Sequence, residues 1–118
     1  MIVTLKFAEK ELKCSLGLMF LGALLDDLDM SLEEVAAKMQ KNPFRLMPKM
    51  IFISAQTEAE LNGEEFDLTF KDVVELLEKD GGIASPQAVN FINSWTASMT
   101  ENVPKDDAAE EGEGKGKK

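Results

Sequence analysis

The chain has 118 residues with a formal net charge of −9, since 22 acidic residues face 13 basic ones. This length suits one domain of about 100 residues. Because an acidic surface repels a phosphate backbone, we expect no nucleic-acid partner. Cys14 is the only cysteine, so no disulfide can form within the chain, which favours a reducing cytoplasmic setting.

The first fifteen residues have the alternating pattern of a β-hairpin. Apolar side chains are spaced two residues apart on both sides of a short polar break, at Val3, Leu5, Phe7, Leu12 and Cys14. This spacing predicts two antiparallel strands. The break contains Glu9 and Lys10, which form a poor type I′ turn, so the turn itself can lie one residue away.

A strongly apolar run follows and predicts a helix from Leu16 to about Leu28, with Ser15 as its cap. The run is about half as long as the roughly 20 apolar residues that a membrane span requires, so we expect no membrane partner. A helix that is apolar nearly all round belongs in the centre of a domain or in an oligomer interface. The candidate residues for self-association are Leu18, Leu21 and Leu25.

The middle of the chain contains two helix starts. Ser31 and Glu34 have the spacing of a capping box, which predicts a short helix. Asn42 and Pro43 fit the cap and the first position of the next helix. Pro48 lies inside that helix, where it lacks the N–H that the helix needs, so the pattern leaves open a kink or the start of a separate helix.

Two further helices are predicted. Thr69 and Asp72 begin the first, which Gly81 ends, and Ser85 and Pro86 begin the second. Their predicted buried residues are Phe70, Val73, Val74 and Leu77, then Ala88, Ile92, Trp95 and Met99. The pattern predicts a mainly α single domain over 1–100, with about five helices and a short N-terminal β-hairpin. A disordered Gly/Lys/Glu-rich tail is predicted over 101–118.

Residues that carry chemistry are scarce. The chain has no histidine and no tyrosine, so the commonest general base and metal ligand is missing. Cys14 lies in an apolar strand, which favours a structural role over a nucleophilic one. The acidic run 26–34 does not fit a calcium loop, because Leu32 and Lys38 stand where glycine and a bidentate glutamate are required. We therefore expect no enzyme, no cofactor and no metal.

Seven methionines are the compositional feature that points towards a function. Thioether side chains suit surfaces that repack around varied apolar partners, although they also fill ordinary cores. The segment 44–52, FRLMPKMIF, is too apolar for a single buried face. Part of it is expected to meet another chain, either a second copy or a client. The candidate partner-binding residues are Phe44, Leu46, Met47, Met50 and Phe52.

The order of the segments is distinctive: SLGLMFLGALLDDLDMSLEEV, NPFRLMPKMIFIS, NGEEFDLTFKDVVELLEKDGG and a last helix with an acidic tail. Over about residues 1–100 it resembles the tail assembly chaperones of long-tailed (siphovirus-type) bacteriophages. The resemblance implies a small helical protein in the cytoplasm of the infected bacterial host, absent from the mature virion. It implies binding and solubilising the tape measure protein, and helping to recruit the tail tube protein during virion morphogenesis.

The resemblance also bears on self-association and on the tail. Members of that family tend to self-associate, and their translation commonly shifts frame near the end of the gene. Glu113-Gly114-Lys115 and Lys115-Gly116-Lys117 can each be encoded so as to contain the slippery heptamer G GGA AAA. These residues are a candidate frameshift-encoded segment, and a plain hydrophilic tail is the alternative. The alternative for the whole chain is a small homo-oligomeric interaction or regulatory module without catalytic activity.

Overall fold

The computed structural model describes residues 2–102, where an N-terminal hairpin is followed by five α-helices. The elements are β1 (Ile2–Lys6), β2 (Glu11–Ser15), α1 (Leu18–Leu28), α2 (Leu32–Lys41), α3 (Pro43–Leu61), α4 (Phe70–Lys79) and α5 (Pro86–Asn102), with a 3-10 helix at Gly82–Ala84. The predicted fold class is confirmed. The tail was predicted from residue 101, but residues 101 and 102 belong to α5, so that boundary is corrected. From residue 103 onwards the predicted tail, with its candidate frameshift segment, lies outside the described residues.

The turn of the hairpin lies one residue earlier than the Glu9-Lys10 pair. Phe7 and Lys10 exchange backbone hydrogen bonds of 2.9 and 3.3 Å, which centres the turn on Ala8 and Glu9. Neither central residue has a positive φ, so the turn is not of the I′ type. The buried face decides this register, since a shift by one residue would turn Phe7 and Leu5 from the core to solvent.

Helix α1 begins at Leu18, and the prediction that Ser15 caps a helix from Leu16 is wrong. Ser15 is the last residue of β2, where it pairs with Ile2. Gly17 occupies the cap position and provides no side-chain hydrogen bond. Strand pairing and the burial of Leu16 hold these residues on the hairpin, so the helix can start only after Gly17.

Both predicted capping boxes are present. Ser31 Oγ accepts from the Glu34 N–H at 3.1 Å, and the Glu34 carboxylate accepts from the Ser31 N–H at 2.8 Å. Thr69 and Asp72 make the same pair of bonds, at 3.1 and 2.8 Å. Just before Ser31, Asp29 ends α1 in the left-handed region with a φ of 54°. The acidic run is thus one helix end followed by one helix cap.

Helix α3 is the central element, since it packs against β2, α1, α2, α4 and α5. The Asn42 side chain accepts from the Phe44 N–H at 3.3 Å and Pro43 takes the first position, as predicted. Pro48 lies inside the unbroken helix, so a second helix starting there is ruled out. The proline costs about 3 kcal/mol, but burying one side chain such as Ile51 contributes about 1.5–3 kcal/mol, and many neighbours are buried.

The buried face of α5 differs slightly from the face that the sequence pattern predicts. Trp95 is buried as predicted, but Ile92 and Met99 are only half-buried. Phe91, which was not predicted, is fully buried and meets Phe20 of α1 edge-to-face, with ring centroids 6.5 Å apart. This aromatic contact turns α5 so that Phe91 faces the core.

The link between α4 and α5 is held by one carboxylate. Asp80 Oδ2 accepts from Ser85 Oγ at 2.6 Å and from the Gln87 N–H at 3.3 Å. Gln87 in turn accepts from the backbone N–H of Lys6 at 2.8 Å. Gly81 has a φ of 118°, which turns the chain directly after α4. The end of α4, the start of α5 and the edge of β1 are therefore tied together.

Gly81→Ala is expected to lower the free energy of unfolding by about 1–3 kcal/mol, because residues with a Cβ rarely adopt its backbone conformation. Gly22→Ala is the control. Gly22 lies inside α1, a Cβ there would meet no atom within 4 Å, and alanine should raise the free energy of unfolding by about 0.5–1 kcal/mol. Urea unfolding followed by circular dichroism measures both changes. If both substitutions changed the free energy of unfolding in the same direction, the backbone conformation assigned to Gly81 would be contradicted.

The capping boxes also predict a dependence of stability on pH. The backbone N–H of Ser31, and then its side chain, lower the pKa of Glu34, and Thr69 does the same for Asp72. Because these pKa values are lower in the folded state, the stabilisation is present above about pH 4 and is lost as the pH falls through the folded-state values.

We expect the double variant E34Q/D72N to lose less stability than the wild type between about pH 5 and about pH 3. Denaturant midpoints measured at each pH test this expectation. A variant whose midpoint falls as steeply as that of the wild type would contradict it.

Candidate functional site

An apolar groove runs between the first turns of α3, the length of α4 and the 3-10 helix. Its volume is about 310 Å³. Met47 and Leu77 are buried side chains in its lining. Its rim carries three large apolar side chains that remain exposed, with exposed fractions of 60% for Phe44, 40% for Phe70 and 82% for Ile83. The groove therefore offers both apolar depth and apolar edges to another molecule.

Local sequence signals build the α4 side of the groove. The capping box at Thr69 makes Phe70 the first residue of α4, and Leu77 follows seven positions later on the same side of the helix. Gly81 and Gly82 both have positive φ, which brings Ile83 to the end of the groove. Gly82 is tightly placed, since a Cβ there would lie 3.1 Å from a carboxylate oxygen of Glu78.

Phe70 is held in position although it is partly exposed. Its ring packs edge-to-face on Phe52, with centroids 6.3 Å apart. The Lys49 ammonium lies 5.5 Å from the Phe70 centroid and 3.4 Å from Asp27 Oδ2. Aromatic pairs and cation–π contacts each contribute about 0.5–1 kcal/mol at such sites. Phe70 is therefore held largely in one position at the rim of the groove.

The five candidate partner-binding residues do not share one surface. Phe44 lies at the rim of the groove, and Met47, which is 9% exposed, lines it. Phe52 is half-buried beneath Phe70. Leu46 and Met50 are core residues, 4% and 0% exposed, so their assignment as partner contacts is corrected. Because α3 is covered by neighbours along most of its length, its apolar residues are mostly used within the domain.

Two residues of the groove were missed or misplaced by sequence reasoning. Phe70 was assigned to the buried face of α4, but it lies at the exposed start of that helix. Ile83 received no role, although it is a single large apolar residue between two glycines and an Ala-Ser pair. The signal that could have identified Ile83 is that it is a large apolar residue in a loop, outside any helical or strand pattern.

The candidate self-association residues of α1 are also divided. Leu18 is 84% exposed, whereas Leu21 and Leu25 are half-buried. The side of α1 that faces the core carries Phe20 and Leu24. The three candidates therefore do not form a continuous exposed stripe.

Cys14 is completely buried. Burial raises the pKa of its thiol to about 12, against a smaller lowering by the hydrogen bond with Ser54, and the nearby Glu58 carboxylate raises it further. A thiol with this pKa is protonated at neutral pH and is a poor nucleophile. Within residues 2–102, no group of three His, Cys, Asp or Glu side chains is arranged to hold a metal ion.

Comparison with protein-family models, with curated proteins and with solved structures gave no match. In the part of the chain that the structure describes, no helix has both the length and the apolar character of a membrane span. The geometry of the groove is thus the observation from which a function can be inferred.

We expect Cys14 in the folded protein to resist alkylation by iodoacetamide at about pH 8, because its thiol is buried and protonated. In concentrated guanidinium chloride the same thiol should react completely. Intact-mass spectrometry over time measures both reactions. Rapid modification of the folded protein would contradict the burial of Cys14.

Proposed function

We propose that this protein is an assembly chaperone that holds an apolar helical segment of a client in the groove between α3 and α4. The observation that carries the proposal is the combination of a groove of about 310 Å³ with an exposed rim of Phe44, Phe70 and Ile83. Apolar patches of this kind on a folded domain mark interaction sites, and aromatic side chains dominate the energy of such contacts.

The dimensions of the groove suit a short stretch of helix. Helix α4 has ten residues and is therefore about 15 Å long, which corresponds to nearly three turns of a bound helix. A helix lying along it can insert side chains spaced three, four and seven residues apart. A volume of about 310 Å³ accepts a few apolar side chains and no more. Because Phe70 is already held by Phe52 and Lys49, little ordering is required when the client binds.

The charges around the groove support the same proposal. The whole chain carries −9, and a strongly charged surface keeps a complex with an apolar client in solution. At the groove itself the two signs are balanced, with Arg45 and Glu78 both exposed in the lining. Such a pair favours one orientation of a bound helix that carries complementary charges.

The particular client that we propose is the tape measure protein of a long-tailed bacteriophage, with the tail tube protein recruited to the same complex. The order of segments over residues 1–100 supports this choice. A tape measure protein is long, helical and apolar in places, so it needs a cover until the tail assembles around it. The site of action that we propose is the cytoplasm of the infected bacterium, before the virion is complete.

A second candidate function is a homo-oligomeric module that has no client. The exposure of Leu18 and Met19, at 84% and 59%, favours this candidate, because both lie on α1 and neither lines the groove. A module of this kind does not need the groove, so substitutions in the groove separate the two candidates.

Co-expression with the tape measure protein of the same phage tests the chaperone proposal. We expect the soluble yield of the client to rise with the wild-type protein and to fall at least about fivefold with Phe44→Asp or Ile83→Asp. Both residues are more than half exposed, so the substitutions should change stability by no more than about 0.5 kcal/mol.

Val89→Asp is the matched control, because Val89 is a 52% exposed apolar residue on α5 and does not line the groove. It should solubilise the client as well as the wild type. A client that is equally soluble without the protein would refute the chaperone proposal. If all three aspartate variants have the same effect, the groove is not the binding site.

A further inference from the structure

A second groove lies between β2 and the segment that joins α3 to α4. Its volume is about 310 Å³, and its two walls are residues 10–13 and residues 64–68. Between the walls it is lined by three buried residues of α3, Ala55, Glu58 and Ala59. We call it the acidic groove, because five acidic residues and two basic ones line it. It shares no lining residue with the apolar groove between α3 and α4.

The β2 wall presents unpaired backbone groups. Phe7 and Lys10 exchange two backbone hydrogen bonds, and in an antiparallel ladder such pairs alternate with pairs that form none. Glu11 and Lys13 therefore belong to the pairs without bonds, and their N–H and C=O groups point away from β1. Because four consecutive residues of this wall line the groove, it runs along the edge of the strand, where these groups lie.

The opposite wall is also extended chain whose backbone is unpaired. The N–H of Glu64 donates to the carbonyl oxygen of Ala59 at 2.8 Å. From residue 65 to residue 68, no backbone N–H or C=O has a hydrogen-bond partner among residues 2–102. The side chains on this wall are anchored, since Phe66 packs edge-to-face on Phe52 with ring centroids 5.6 Å apart. The acidic groove is therefore a channel between two unpaired extended segments.

Glu58 is a buried carboxylate that has no cation beside it. It is 8% exposed and lines the acidic groove between the two walls. Asn62 Nδ2 donates to Oε2 at 2.5 Å, but Oε1 has no hydrogen-bond or ion-pair partner in the part of the chain that the structure describes. A buried charge without a partner is unfavourable, so a positive group in the groove is stabilised there.

We propose that the acidic groove binds an extended, basic segment of a partner protein, which joins β2 as a third strand. The backbone of that segment pairs with the N–H and C=O groups of Glu11 and Lys13. One of its lysine or arginine side chains points towards α3 and lays its carbon chain against Ala55 and Ala59. The charged end of that side chain donates to Oε1 of Glu58.

Charge decides between the possible occupants. The acidic residues of the groove repel a second copy of a chain that carries −9, and they attract a basic segment. The edge of β1 is less suited to strand addition, because the Lys6 N–H already bonds the Gln87 side chain. A basic partner strand on β2 provides partners for both the unpaired backbone and the unpaired carboxylate of Glu58.

Titration calorimetry with the full-length protein and a basic peptide tests the proposal. The probe is Thr-Lys-Thr-Arg-Thr-Lys-Thr with acetylated and amidated ends, because threonine favours extended chain and the basic residues share one side of a strand. We expect saturable binding of one peptide per chain, with a dissociation constant of about 100 μM or lower at about 50 mM salt. A peptide with glutamate at the basic positions should not bind.

Glu58→Gln tests the role of the buried carboxylate. Glutamine keeps an oxygen for Asn62 but removes the charge, so the dissociation constant of the peptide should rise at least about fivefold. Glu60→Gln is the matched control, because Glu60 is exposed on the same helix and does not line the acidic groove. It should change the dissociation constant by less than about twofold. Equal effects of the two substitutions would overturn the proposal.

Lys13→Pro tests the pairing with β2. Proline has no N–H to donate, and an edge strand tolerates it where the N–H points outwards. Lys13→Val is the matched control, since it removes the same charge but keeps the N–H. We expect the dissociation constant of the peptide to be at least about fivefold higher in Lys13→Pro than in Lys13→Val. Circular dichroism verifies that both variants are folded.

Hydrogen exchange followed by NMR tests the pairing in the unaltered protein. The amide protons of Glu11 and Lys13 should exchange rapidly in the free chain and become protected when the peptide binds. The amide protons of Leu12 and Cys14 point towards β1, so they should be protected in both states. These two residues are the internal control for the stability of the hairpin.

Absence of saturable binding at about 1 mM peptide would overturn the proposal. So would a complex in which the Glu11 and Lys13 amides exchange as fast as in the free chain, because the peptide would then be held by charge alone. Protection of those amides in the free chain would show that a second copy or the chain's own C-terminal segment fills the groove, which would also overturn it. Ile83→Asp should leave peptide binding unchanged, so failure here is distinguishable from failure of the chaperone proposal.

Discussion

The burial of α3 by the other elements is the interaction on which this structure depends. The β2 strand and the other four α-helices all pack on it, so each of them covers apolar surface by using the same central helix. This shared burial keeps the helix continuous through Pro48, which would interrupt an isolated helix. The first turn of α3, with Phe44 and Arg45, stays open to solvent beside α4. The groove exists because the covering of α3 is incomplete at that end.

Signals that act over a few residues were sufficient to predict most of the fold. Each capping box, at Ser31 and at Thr69, joins a side chain to an N–H three residues away. The spacing of these residues in the sequence was therefore enough to predict the bonds. The prediction that Ser15 caps a helix was wrong because its conformation does not depend on its nearest neighbours alone. Its hydroxyl suits a helix cap, but pairing with the other strand holds its backbone in β2. Strand pairing is decided across the hairpin, and local cap preferences do not contain that information.

The candidate site was predicted less well, because exposure depends on which elements meet. In the largely apolar segment 44–52, nothing local distinguishes Phe44, which is 60% exposed, from Met50, which is fully buried. The difference arises where α4 stops covering α3, which is a property of the packed domain. Ile83 could have been noticed as an isolated apolar residue in a loop. Its place beside Phe44 required the turn at Gly81 and Gly82 to be seen.

The bond from the Lys6 N–H to the Gln87 side chain affects how readily the open edge of the hairpin can pair with a strand of another chain. A hairpin with an open edge offers a row of donors and acceptors on which a strand from another chain can add. Gln87 occupies one donor on the outer edge of β1, and the Asp80 carboxylate holds the residue that does so. A protein with exposed apolar side chains such as Phe44 and Ile83 is at particular risk of strand-templated aggregation. The side chain of Gln87, on α5, blocks one of the backbone donors on which a strand of another chain would pair.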